Sequence, residues 1–170
     1  NGRKRADVCV KAEQVFVAAA ILTKLSILNN HMDAARDMLE SFQKKAEQEA
    51  PKLLPNIGAM QVRMDLYTGR TGQASQWLGS APDEDIEFNI MDRYRYLTKV
   101  RVYLATGRKE KALLLLEKLR YYAKIAHRTY IAIEVKILKA IALYRMGKEG
   151  WQETLQEAVA EAEDYHFVRI

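Results

Sequence analysis

A turn residue recurs along the chain at Asn30, Gly69, Gly107 and Gly147, and three of the four sites share one local grammar. They read NNHMDAARDML, TGRTGQASQWL and TGRKEKALLLL, with Ala35, Ala74 and Ala112 each five residues past the turn. The gaps of 39, 38 and 40 residues approximate the period of a helix-turn-helix repeat. Such a unit cannot bury its apolar face alone and must stack on its neighbours. This periodicity predicts an all-α array of eight helices in four pairs, and it favours a groove for partners over a catalytic pocket.

The 170 residues, with three prolines and eight glycines, suffice for one continuous core. The expected pairs span residues 6–50, 52–79, 88–127 and 129–165 within a single domain, read as a fragment of a longer chain. Asp33 is placed as the N-cap of the second helix, and Pro55 in the first turn of the third. The fourth helix, from Thr71 to about Leu78, is unusually short. The loop from Gly79 to Asp85 is the expected hinge, in an acidic junction with Glu87 and Asp92, and the fifth helix is expected from about Phe88.

Counting back ten, seven and three residues from each turn gives one narrow helical stripe. It comprises Ala20, Thr23 and Ile27; Ala59, Val62 and Leu66; Leu97, Val100 and Leu104; and Ile137, Ala140 and Tyr144, and it is the expected buried spine. Six residues before the turn, to one side of that stripe, stand Lys24, Arg63, Arg101 and Ile141. On the same flank, thirteen before the turn, stand Val17, Asn56, Tyr94 and Glu134, and two before it Leu28, Tyr67, Ala105 and Arg145. A solvated helix flank accounts for such charges in most proteins. Registration favours a sharper reading, in which Lys24, Arg63 and Arg101 stack along a concave surface with Asn56 and Tyr94 and bind a polar ligand. Arg101 is expected to flank the core, so that its loss changes stability little, whereas Val100→Asp places a charge in the spine.

Other chemistry is excluded by spacing. The longest apolar run, Val15 to Leu22, falls far below the ~20 residues of a membrane span. Cys9 is the single cysteine, so an internal disulfide is impossible and a reducing compartment is expected. No glycine pattern forms a phosphate loop or nucleophile elbow, and His31, His127 and His166 lie too far apart for a zinc pair. An enzyme is not expected. Glu153, Glu157 and Glu161 are read as a solvated face opposite a buried stripe of Trp151, Leu155, Ala158 and Ala162. The stretch Arg93 to Arg128 holds eleven Lys or Arg against two acids, whereas Glu149 to Asp164 has six acids and no base. That asymmetry favours contacts with other domains or end-to-end contacts over direct nucleic-acid binding, for which no reading motif is present.

The second half carries a more specific pattern: LTKVRVYLATGRKEKALLLLEKLRYYAKIAHRT, then IEVKILKAIALYRMGK, then TLQEAVAEAEDYHFVRI. It resembles the helical-repeat region of MalT-like regulators of the LuxR superfamily, whose closing segment runs Leu-x-x-Ala-Leu-x-x-Ala and then aromatic, Val, Arg. Leu155, Ala158, Ala162, Phe167, Val168 and Arg169 match it, with Val159 in place of the second Leu, and the resemblance covers Arg93 to Ile170. It implies a TPR-like superhelical array serving as the effector-sensing and interaction domain of a cytoplasmic bacterial transcriptional regulator. It further implies a small-molecule or protein effector, contacts with other domains of the same chain, ATP held by an upstream domain rather than by any cofactor site here, and DNA contacted only through a downstream domain. No membrane partner is implied, and a homo-oligomer is compatible with it. The competing class is a free-standing TPR scaffold whose basic row grips a peptide tail.

Overall fold

The computed structural model describes residues 2–84 and 92–167, with 2–13 described by backbone alone. Among the described residues there are eight α-helices and no strand. They are α1 (Gly2–Leu28), α2 (Met32–Glu49), α3 (Leu54–Tyr67), α4 (Thr71–Trp77), α5 (Arg93–Ala105), α6 (Lys109–Ile125), α7 (Thr129–Arg145) and α8 (Trp151–Asp164), with 3-10 turns at Pro51–Leu53 and Leu78–Ser80. The expected start of the fifth helix near Phe88 lies outside the described residues, as do Val168 and Arg169 of the closing pattern.

The chain forms two compact units, Asn1–Ala74 and Ser75–Ile170. In the first, α2 buries Ala35, Leu39, Phe42 and Ala46, a spacing that keeps one helical stripe turned inward. A cluster of Ala19, Phe42, Ala46, Ala50, Leu53 and Ile57 forms its core. In the second, Leu97, Val100 and Leu104 of α5 meet Leu115, Leu116 and Leu119 of α6 and Ile131, Val135 and Leu138 of α7 in one larger core.

Each intra-pair turn works by the same device. Asn30, Gly69, Gly107 and Gly147 have φ of 62°, 76°, 76° and 66°, the left-handed conformation that glycine adopts freely and asparagine tolerates. The next residue's N–H then reaches back five residues: His31 to Ser26, Arg70 to Asp65, Arg108 to Tyr103 and Lys148 to Leu143, at 2.8–3.0 Å. These bonds satisfy carbonyls that a helix end would otherwise leave open. Two histidines repeat the device outside the pairs: His127 (φ 49°) between α6 and α7, followed by Arg128 N–H to Ala123, and His166 (φ 56°) after α8, followed by Phe167 N–H to Ala162.

Several expectations need correction. Asp33 is not the N-cap of α2: His31 holds that position without a side-chain cap, and Asp33 lies in the first turn paired to Arg36 at 3.3 Å. Of the expected spine, Tyr144 is 64% exposed, its ring set edge-on to Trp151 at 5.1 Å. A phenol in the last turn of a helix reaches past the packed layer. Leu155 is also exposed, whereas Ala158 is fully buried. Glu157 and Glu161 are not simply solvated, for both pair with Lys136 of α7, at 3.6 and 2.9 Å.

Candidate functional site

Of the five expected ligand-binding residues, Lys24 on α1 and Asn56 and Arg63 on α3 belong to the first unit, whereas Tyr94 and Arg101 on α5 belong to the second. All five are half-buried. The Asn56 Oδ1 atom is enclosed without a hydrogen-bond partner.

In the second unit, Arg101 is held across the interval between α5 and α7. Its Nη2 donates to Glu134 Oε1 at 2.7 Å, and that carboxylate is almost wholly buried, with 7% of its side chain exposed. Arg101 Nε is enclosed with no acceptor. Nearby, Arg145 Nη1 donates to the Leu104 carbonyl at 2.9 Å, and Lys109 Nζ donates to the Arg145 carbonyl. The expectation that Arg101 flanks the core without supporting it is therefore corrected, because its guanidinium compensates a buried charge. Glu134 stands thirteen residues before its turn, in register with Asn56 and Tyr94, so the signal for this pair lay in the same alignment that selected Arg101.

The second polar constellation was missed by sequence reasoning. Ser80–Glu84 runs along α5, and four of its carbonyls accept side-chain hydrogen bonds. Ser80 accepts from Arg95 (2.8 Å), Pro82 from Lys99 (2.9 Å), Asp83 from Tyr96 (2.8 Å) and Glu84 from Lys118 of α6 (2.7 Å). The Glu84 carboxylate also takes the Tyr103 hydroxyl at 2.7 Å and Lys99 Nζ at 2.8 Å. Burial raises the Glu84 pKa, but the hydrogen bonds from Lys99 and Tyr103 and the charges of Lys99 and Lys118 outweigh it, leaving the carboxyl below its usual range. Tyr103 moves the other way, its phenol pushed well up by burial and by the carboxylate it serves. The expected hinge is thus fastened over Ser80–Glu84, while Asp85 and Glu87 lie outside the described residues. The α5 donors share one face, but four of the groups that they and Lys118 reach are main-chain carbonyls, which carry no sequence signal.

A third feature is an open depression of about 530 Å³ lined by Ile137 of α7, by Ala158, Val159, Ala162 and Glu163 of α8, and by His166 and Phe167. Among the described residues no group of His, Cys, Asp and Glu could hold a metal ion, and no helix is long and apolar enough to cross a membrane.

Neither the comparison with curated proteins nor that with solved structures gives a match. The family described as MalT-like TPR region matches residues 7–170. Its model spans both compact units and all eight helices, and the chain belongs to the MalT-like TPR family.

Proposed function

We propose that this chain is the effector-sensing and protein-interaction domain of a LuxR/MalT-type bacterial transcriptional regulator working in the cytoplasm. The observation that carries the reading is the family match across nearly the whole chain. TPR-type repeats generally mediate protein interactions, and the fold is non-catalytic. The domain binds a small molecule or protein partner and passes the signal to ATP-binding and DNA-binding domains of the same polypeptide, without turnover of its own. Lys24, Asn56 and Arg63 in the first unit and Tyr94 and Arg101 in the second are the ligand-binding side chains of this reading. An anionic group arriving at Arg101 competes with Glu134 for the guanidinium, which favours carboxylate or phosphate over neutral ligands.

Sequencing the gene on both sides of this segment tests the reading. A phosphate loop encoded upstream and a helix-turn-helix downstream are expected. An open reading frame holding helical repeats alone would replace the regulator with a free-standing scaffold that binds a peptide or protein tail.

A further inference from the structure

The Ser80–Glu84 segment is gripped by α5 and α6 as a bound peptide would be. Its donors Arg95, Tyr96, Lys99 and Tyr103 fall within about 100° of one another around α5, at 100° per residue. Lys118 closes the row from α6. Four of the contacted groups on the segment are backbone carbonyls, which any sequence supplies, and the Glu84 carboxylate adds a side-chain anchor. Tyr96, Lys99 and Tyr103 are buried beneath it, and Pro82 is buried against them.

A segment that merely covered a helix would meet it with apolar side chains, as the core residues of α6 meet Ile131, Val135 and Leu138 of α7. Here the covered face carries an ammonium group and two hydroxyls, each aimed at the main chain or at one carboxylate. That is the chemistry of extended-peptide recognition, with sequence-tolerant main-chain bonds and one acidic anchor.

We propose that α5 together with Lys118 forms a binding site for an extended acidic segment of a partner protein, of the type Pro-Asp-Glu, and that Ser80–Glu84 occupies this site in cis. Tethered a few residues from its own site, the segment competes at an effective concentration in the millimolar range, so a partner displaces it only by presenting its segment at comparable local concentration or with added contacts. The occupied state is the closed one, and exchange of the cis segment for a partner's is the regulatory step. This site is separate from the Arg101 row.

The test uses the whole chain and a fluorescently labelled peptide of residues 79–84, Gly-Ser-Ala-Pro-Asp-Glu, followed by anisotropy. Glu84→Gln keeps the volume and hydrogen-bonding capacity of the anchor but loses its charge, so the cis segment is weakened while the donors are intact. The variant is expected to bind the peptide at least ten-fold more tightly than the parent. A peptide ending in Gln should lose that gain, and adding Lys99→Met to the variant should abolish binding. Pro82→Gly, which loosens the segment without altering a donor, is the second variant and carries the same expectation. Folded variants that bind the peptide no better than the parent at millimolar concentration, or tight binding that survives Lys99→Met, would overturn the proposal.

Discussion

The residues that matter most in this chain are charged groups whose partners lie far away in sequence. Arg101 and Glu134 are 33 positions apart, yet they meet at 2.7 Å with the carboxylate nearly enclosed. Arg101→Ala removes a charged partner from that buried carboxylate and should destabilise the second unit by about 1–3 kcal/mol, the lower part of the range for broken buried pairs because the guanidinium is partly exposed. Glu134→Gln should cost less, and the double variant less than the sum of the two, a coupling of about 1 kcal/mol measurable by urea denaturation. Strict additivity would show that the contact contributes nothing. The pH dependence has a different owner. Since the folded pKa of Glu84 lies below its unfolded value near the usual ~4.3, its contribution is present above that value and lost as pH falls through the folded one. Tyr103, raised in the folded state, contributes below about pH 10 and loses its contribution as the phenol ionises at higher pH. Glu84→Gln should therefore flatten the acid limb of a stability-versus-pH curve, and Tyr103→Phe the alkaline limb. If neither limb changes, other groups govern both.

Among the elements, the helices and their intra-pair turns were legible because both follow local rules. Apolar period fixed α2 and α6, and left-handed caps fixed Asn30, Gly69, Gly107 and Gly147. His127 between α6 and α7 and His166 after α8 occupy the same conformation, but histidine gives no unambiguous signal for it. The fourth turn departs from the grammar of the other three for a structural reason. Gly150 is left-handed as well, at φ 83°, so α8 starts four residues past Gly147, where α6 starts two past Gly107. Of the site, the cation row was visible as an offset, whereas its pairing with Glu134 required knowing which helices become neighbours. The Ser80–Glu84 attachment was invisible because it is written in main-chain carbonyls. A Cβ at Gly107 would meet nothing within 4 Å, so the demand there is purely conformational. Gly107→Ala should cost about 1 kcal/mol from the left-handed strain, and Gly107→Asn distinctly less, read as a difference in denaturation midpoints. Equal effects would mean the turn relaxes to another conformation.

At the scale of the whole molecule, the two units are unequally packed, and repeat proteins turn such inequality into unequal local stability. Of the eleven largest fully buried side chains among the described residues, which leave out the side chains of 1–13, Leu39 and Met64 belong to the first unit. The other nine, among them Val100, Leu115, Leu119, Ile133 and Leu138, lie in the second. Along α1, Val17, Ile21, Leu22 and Leu28 are each about half exposed, at 55%, 54%, 50% and 45%, so that helix leaves much of its apolar surface outside the unit's core. Apolar area kept in contact with water contributes nothing to folding at the usual ~25 cal/mol per Å². Hydrogen exchange followed by mass spectrometry should therefore find the amides of α1–α3 opening at a free energy lower than those of α5–α7, with the Val100→Asp variant lowering protection in the second unit first. A ligand that binds only the first unit should raise protection there in proportion to its occupancy. Uniform protection across both units, or simultaneous loss from both in Val100→Asp, would show that the chain unfolds as one cooperative body despite the unequal packing.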